Sequence, residues 1–289
     1  MNNIQNYNNE INVLFDKNEP FSLVRIGAME GFFLEYYFNN ISPNEYWYYA
    51  LYFAAGVYPI SDDYLINIWM KETLYAMTNS DIVGFVDIPE TIKNNTQFLD
   101  AHCKDKSTFF KDDIGVLNPT TLLTIENPWT QKLKGKKVLV VSAFKETIIS
   151  QWKTINHIWG DNVENIVPFE LVDVIRSPFN PVVDSRQYEN CNTWDETLDY
   201  MCNLISSYDY DVLLVGAGAY SPSLAFYAKI TGKIGITLCG DIQLLFGILG
   251  DRWKSYSEDD DKKHWIYPLD IDLPENKQYF DQIEKAYWK

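Results

Sequence analysis

Residues 25–31 read RIGAMEG, directly after the apolar run FSLV. Core packing needs neither an arginine nor a glutamate at the end of a strand, whereas a site that handles a charged sugar or a phosphate would use both. Arg25 can hold a turn or an anion, Gly27 lets backbone approach a ligand closely, and Glu30 falls in the first turn of the helix that follows. A structural reading competes. Acidic residues favour helix N-termini, and Arg25 with Glu30 would make a buried ion pair.

Three more stretches carry chemistry at strand ends. GAGAYS (216–221) sets Gly216 and Gly218 after an apolar strand, with Tyr220 beside them. Unpaired N–H groups at the next helix start would cradle a phosphate there, although glycine also serves any tight strand-to-helix turn. SAFKE (142–146) puts Lys145 at a helix start. A cation is misplaced at that positive end unless an anion sits nearby. GDIQLLFGILGDRW (240–253) combines Gly240, Asp241, Gln243, Arg252 and Trp253. Gln243 in an apolar helix needs a hydrogen-bond partner, and Arg252 with Trp253 can clamp a phosphate or stack on a base. A buried helix followed by a charged surface turn is the competing reading.

These residues need strands to present them. KKVLVVSAF (136–144), NIVPFELVDVI (165–175), DVLLVGAGAYS (211–221) and KIGITLCGD (233–241) read as strands, and helical periodicity separates them. Thr193 and Glu196 form a capping box before one of those helices. The alternation predicts an α/β fold, a Rossmann-like doubly wound, mostly parallel sheet with helices on both faces. Ligands then bind outside the carboxyl ends of the strands. The N-terminal half adds strands at FSLVRI and DIVGFVDI and a helix from Met29. It also holds an aromatic helix, NEYWYYALYF (44–53), expected to bury most of its rings, with Tyr46 or Tyr49 reaching an acceptor groove. The chain is read as one domain over 1–289, with a soft boundary near 135 between a helix-and-strand half (1–134) and a Rossmann-like half (135–289). The tail from Pro274 to Trp288 reads as a helix and SEDDDKK (257–263) as a solvated loop.

Composition narrows the function. A net charge of −16 argues against nucleic acid as a partner. It also requires any phosphate ligand to meet concentrated donors or a divalent metal. Four cysteines without a CxxC pair fit reduced thiols, and three histidines show no metal-ligand spacing. MNNIQNYNNE lacks the pattern of a signal peptide, and no apolar run approaches the ~18 residues of a membrane span. A cytoplasmic location is the expectation.

Taken together, RIGAMEG, VLVVSAFKETIISQW, GAGAYSPSLA and GDIQLLFGILGDRW resemble the GT-D-type glycosyltransferase family from about Phe21 to Trp253. The resemblance implies a Rossmann-like enzyme that moves a sugar from a nucleoside-diphosphate sugar, a UDP-sugar first, to a glycan, glycoprotein or lipid-linked acceptor. It implies Glu30 as the catalytic carboxylate and Arg25, Gly27, Lys145, Gly216, Gly218, Tyr220, Gly240, Asp241, Gln243, Arg252 and Trp253 as donor contacts. It further implies a divalent metal, Mn²⁺ or Mg²⁺, held through the family's Asp-x-Glu pair. With Ala28 at the Asp position, either another acid such as Asp241 completes the shell with Glu30, or the diphosphate is neutralised without a metal, or activity is lost. The family motif reads Arg-x-Gly-Asp-x-Glu, and here Ala28 replaces the Asp. Two other readings stand beside it. One is a relative that binds nucleotide or glycan without transfer, and the other is a dinucleotide- or S-adenosylmethionine-dependent enzyme suggested by GAGAYS and Asp241.

Overall fold

The computed structural model describes residues 3–42, 44–86, 89–110, 114–258, 262–278 and 287–288. Seven strands form one sheet in the order β3-β2-β1-β7-β6-β4-β5. They are β1 (Ser22–Ile26), β2 (Ile82–Phe85), β3 (Ser107–Phe109), β4 (Lys137–Ser142), β5 (Glu170–Arg176), β6 (Val212–Gly216) and β7 (Ile234–Thr237). Every pairing is parallel. The fold is the expected α/β, Rossmann-like doubly wound sheet with helices on both faces. β1 lies against β7, with Leu23 opposite Ile236, so strands from both sides of residue 135 share the sheet.

The apolar runs are continuous because both faces are covered. Along β4, Val138 and Val140 enter one core while Leu139 and Val141 enter the other, and β6 alternates in the same way. One core also holds Trp129, Phe246 and Trp265, and the other Phe33, Trp69, Trp194 and Tyr220. The Ser221–Ile230 helix packs so closely on β7 that a Cβ at Gly235 would stand 1.9 Å from the carbonyl oxygen of Ala225.

Local structure departs from the sequence reading in several places. Asn3–Asp16 is a helix and Ser107–Phe109 an edge strand, and the apolar periodicity had suggested neither. The segment after Phe144 is two helices, Lys145–Trp152 and Ile155–Trp159. The aromatic stretch forms an α-turn (Glu45–Tyr49) that runs into a π-helical turn (Ala50–Ala54). Phe53 is buried and Trp47, Tyr48 and Tyr52 pack partly buried against the cores, while Tyr46 and Tyr49 are 45% and 43% exposed, and Tyr46 reaches the cavity at the carboxyl edge. Residues 279–286 of the expected tail helix and 259–261 of the acidic stretch fall outside the described residues, and the tail begins as a turn at 275–277.

Two anchors set the loops at the carboxyl edge. The Thr193 hydroxyl accepts from the Glu196 N–H and caps the Trp194–Ser206 helix. Glu196 reaches back to the N–H of Asn192 at 2.6 Å, one residue before the cap. The buried Asp272 carboxylate accepts from the N–H groups of Glu146 (3.2 Å) and Thr147 (2.6 Å), so it caps the Lys145–Trp152 helix from a distant loop.

Gly235→Ala should lower unfolding stability by roughly 1–3 kcal/mol, because the methyl group meets backbone and not a movable side chain. A denaturant midpoint unchanged from wild type would show that the helix can lift off the sheet without cost.

Candidate functional site

A cavity of about 440 Å³ opens at the carboxyl ends of the strands. β1 contributes Arg25 and is followed by Gly27, β4 is followed by Phe144, β5 by Ser177–Phe179, β6 runs through Gly216 into Ala217 and Gly218, and β7 leads to Cys239 and Gly240. Tyr46, Trp47 and Ala54–Gly56 close one side, and Arg252 and Tyr287 another. The described lining has three charged residues, Arg25, Glu30 and Arg252. In a chain of net charge −16, this is a local concentration of guanidinium.

Arg25 does not pair with Glu30. Its Nη1 donates to the Asp241 carboxylate in a close ion pair and to the Leu238 carbonyl at 2.8 Å, while its Nε has no hydrogen-bond partner. Asn118 Nδ2 donates to the other Asp241 oxygen at 3.3 Å. Asn118 is itself held by the Thr120 N–H and hydroxyl, which donate to its Oδ1 at 2.9 and 2.7 Å. The pair is mostly buried on both sides, so each charge depends on the other. Asp241 therefore serves as the partner that orients Arg25. It is not among the residues that line the cavity.

Glu30 is the third residue of the Ala28–Asn39 helix, and Gly27 is its N-cap. Its side chain folds back over the cap, the arm of a capping box that the glutamate supplies. A Cβ at Gly27 would stand 2.3 Å from the Glu30 Oε2, so the glycine makes room for the carboxylate. Burial raises the Glu30 pKa above its ordinary 4.5. The N–H groups of Glu30 and Gly27 and the charge of Arg25 offset this only in part. Glu30 and the GAGAYS loop line one cavity, and the carboxyl holds its proton unusually well.

In the GAGAYS turn, the glycines answer backbone crowding. Gly218 has φ +53°, and its Cβ would meet the Ala55 carbonyl oxygen at 2.7 Å. A Cβ at Gly216 would strike Ile242 at 2.3 Å. The loop also uses its own donors, since the Ala217 N–H donates to Ser221 Oγ (2.9 Å) and the Ala219 N–H to the Ala55 carbonyl (3.0 Å). Tyr220 is fully buried and stacks on Trp194, so it belongs to the core. Lys145 lies outside the cavity with its Nζ 3.7 Å from Asp173, and the anion that its helix start requires is Asp272.

On the far wall, Gln243 gives its Nε2–H to the Tyr287 carbonyl at 2.9 Å, which supplies its expected partner, and its Oε1 has none. The Arg252 guanidinium lies 4.5 Å from the Tyr287 ring centroid and 5.2 Å from that of Trp253. Its Nη1 would be 3.0 Å from a Cβ at Gly240, so the glycine lets it settle on the turn after β7. Trp253 supports Arg252 without lining the cavity itself. The thiol of Cys239, pushed up to about 12 by burial, is poorly suited to nucleophilic work.

The strand-end motifs thus bring Arg25, Gly27, Glu30, Gly216, Gly218, Gly240, Gln243 and Arg252 to one cavity, and leave Lys145, Tyr220, Asp241 and Trp253 off its wall. Sequence reasoning missed Phe144, Ser177–Phe179, Ala54–Gly56, Tyr287 and the positioning Asn118. Most of these are apolar or small and have no chemical signature, although Asn118 before Pro119 is legible as a helix cap.

A divalent cation at this edge would need several oxygen ligands. Ala28 offers none, Asp241 is turned to Arg25 and Asn118, and Glu30 bends back to Gly27. The described residues do not form the shell that the resemblance implies. No protein-family model matches the chain, and no curated protein or solved structure matches it.

Glu30→Gln should be more stable than wild type above pH 4.5, the gap growing until the wild-type carboxyl is ionised in the folded state. In that interval the folded protein holds a proton that the unfolded chain has released, so wild-type stability falls as pH rises. Melting curves from pH 4 upward test it, and a variant less stable than wild type at neutral pH would point to a charge that the fold needs. Lys145→Ala should leave nucleotide affinity unchanged in titration calorimetry, and a clear loss of affinity would bring that side chain into the cavity.

Proposed function

We propose that the chain is a glycosyltransferase that takes a nucleoside-diphosphate sugar, a UDP-sugar first, as donor and a glycan or glycoconjugate hydroxyl as acceptor. The observation that carries the reading is the presence of two guanidiniums and one buried carboxylate in the cavity of an acidic chain. The guanidiniums suit the diphosphate, and Glu30 suits the acceptor proton. Its raised proton affinity favours general-base work, which is most effective when the base's pKa approaches the working pH.

In this mechanism the acceptor oxygen bonds to the anomeric carbon and the bond from that carbon to the β-phosphate oxygen breaks. The electron pair leaves with the diphosphate beside Arg25 and Arg252, and the acceptor proton passes to Glu30. Tyr46 and Trp47 line the same cavity, aromatic side chains against which an acceptor sugar would pack. Ala28, in place of the family's Asp, favours a second reading, a relative that binds nucleotide or glycan without transferring sugar.

A panel of nucleotide sugars, read by released nucleoside diphosphate and by melting temperature, tests both. UDP and one or more UDP-sugars should raise the melting temperature, turnover should require Glu30, and Glu30→Gln should remain folded and bind UDP with no turnover. Binding without turnover by wild type would establish the second reading. Flat melting curves with every nucleotide sugar, with and without Mn²⁺, would sink both.

A further inference from the structure

We infer that the diphosphate in this cavity is neutralised by Arg252, with Arg25 beside it, in place of a divalent cation. The inference rests on the nucleotide-sugar reading above and concerns what balances the charge of that donor.

Asp241, the acid that the resemblance leaves to complete a metal shell with Glu30, is already engaged by Arg25 Nη1 and Asn118 Nδ2. A cation bound there would have to break a mostly buried ion pair and then sit against the displaced guanidinium. Glu30 is poorly disposed to help, since its carboxylate folds back over Gly27, where a Cβ would stand 2.3 Å from Oε2.

Arg252 has the opposite character. The residue is exposed, and its guanidinium lies 4.5 Å from the Tyr287 ring centroid and 5.2 Å from that of Trp253, on the turn at Gly240. No carboxylate pairs with it among the described residues, although acids outnumber Lys and Arg by 40 to 24 in the chain. A cation kept on aromatic faces and away from internal acids has its hydrogen-bonding edge free for an external anion. A guanidinium binds phosphate oxygens in pairs, which an ammonium does not. Arg25 adds a buried Nε–H with no internal partner.

UDP binding measured by titration calorimetry in excess EDTA and again in Mn²⁺, for wild type, Arg252→Ala and Arg252→Lys, tests the inference. Wild-type affinity should agree within about threefold between the two solutions. Arg252→Ala should weaken UDP by roughly 10- to 100-fold in both, and Arg252→Lys should fall between, since it keeps the charge and loses the fork. Affinity that rises about tenfold or more with Mn²⁺ overturns the inference and leaves the nucleotide-sugar reading standing. An Arg252→Ala variant that binds UDP like wild type also overturns it. UDP that fails to bind wild type in either solution overturns both. The comparison of EDTA with Mn²⁺ uses wild type alone, so it decides even if a variant folds poorly.

Discussion

The ion pair between Arg25 and Asp241 joins side chains 216 residues apart and fixes how the carboxyl edge of the sheet is assembled. Arg25 leaves β1, the first strand of the chain, and Asp241 opens the helix after β7, the last. These two strands are neighbours, so the charges meet where the two ends of the fold close on each other. Burial makes the pair obligatory, because either charge alone would be stranded away from water. Once Asp241 holds Arg25, Glu30 has no cation of its own. Its burial then decides its chemistry, and the carboxyl is left with raised proton affinity at the cavity wall.

The rest of the cavity follows from close backbone approaches around that point. The π-helical turn at Ala50–Ala54 carries the Ala55 carbonyl into contact with the GAGAYS loop, which accepts it because Gly218 has no side chain. Gly216 lets the Asp241–Leu245 helix after β7 lie against the end of β6, and Gly240 lets Arg252 rest on the turn after β7. The glycines of these motifs make room for neighbouring protein as much as for a ligand. The same holds for the helix start at Lys145. Its positive end is neutralised internally by Asp272, and so it makes no demand on a bound anion.

Much of this was legible before any coordinates. The alternation of buried strands with helical periodicity dictates a parallel, doubly covered sheet, because apolar runs such as VLVV can be buried on both faces only between two layers of helix. That sheet in turn dictates where a ligand goes, and RIGAMEG, GAGAYS and GDIQLL all arrive at its carboxyl edge. The edge strand at Ser107–Phe109 and the first helix escaped notice because short or polar segments carry little periodic signal.

Residue types and local spacing therefore determined the fold class and the edge of the sheet where Arg25, Glu30 and Arg252 gather, with Lys145 and Asp241 offered as equal candidates. Only the tertiary structure decided which of them are partners. Arg25 and Glu30 are five residues apart in sequence and looked like a pair, yet Arg25 turns to an aspartate at the other end of the chain. Lys145 and Tyr220 lie within the same motifs as true lining residues and still point elsewhere. Charge pairing and burial depend on distance in space, and in a parallel sheet whose first and last strands adjoin, that distance has little relation to separation along the chain.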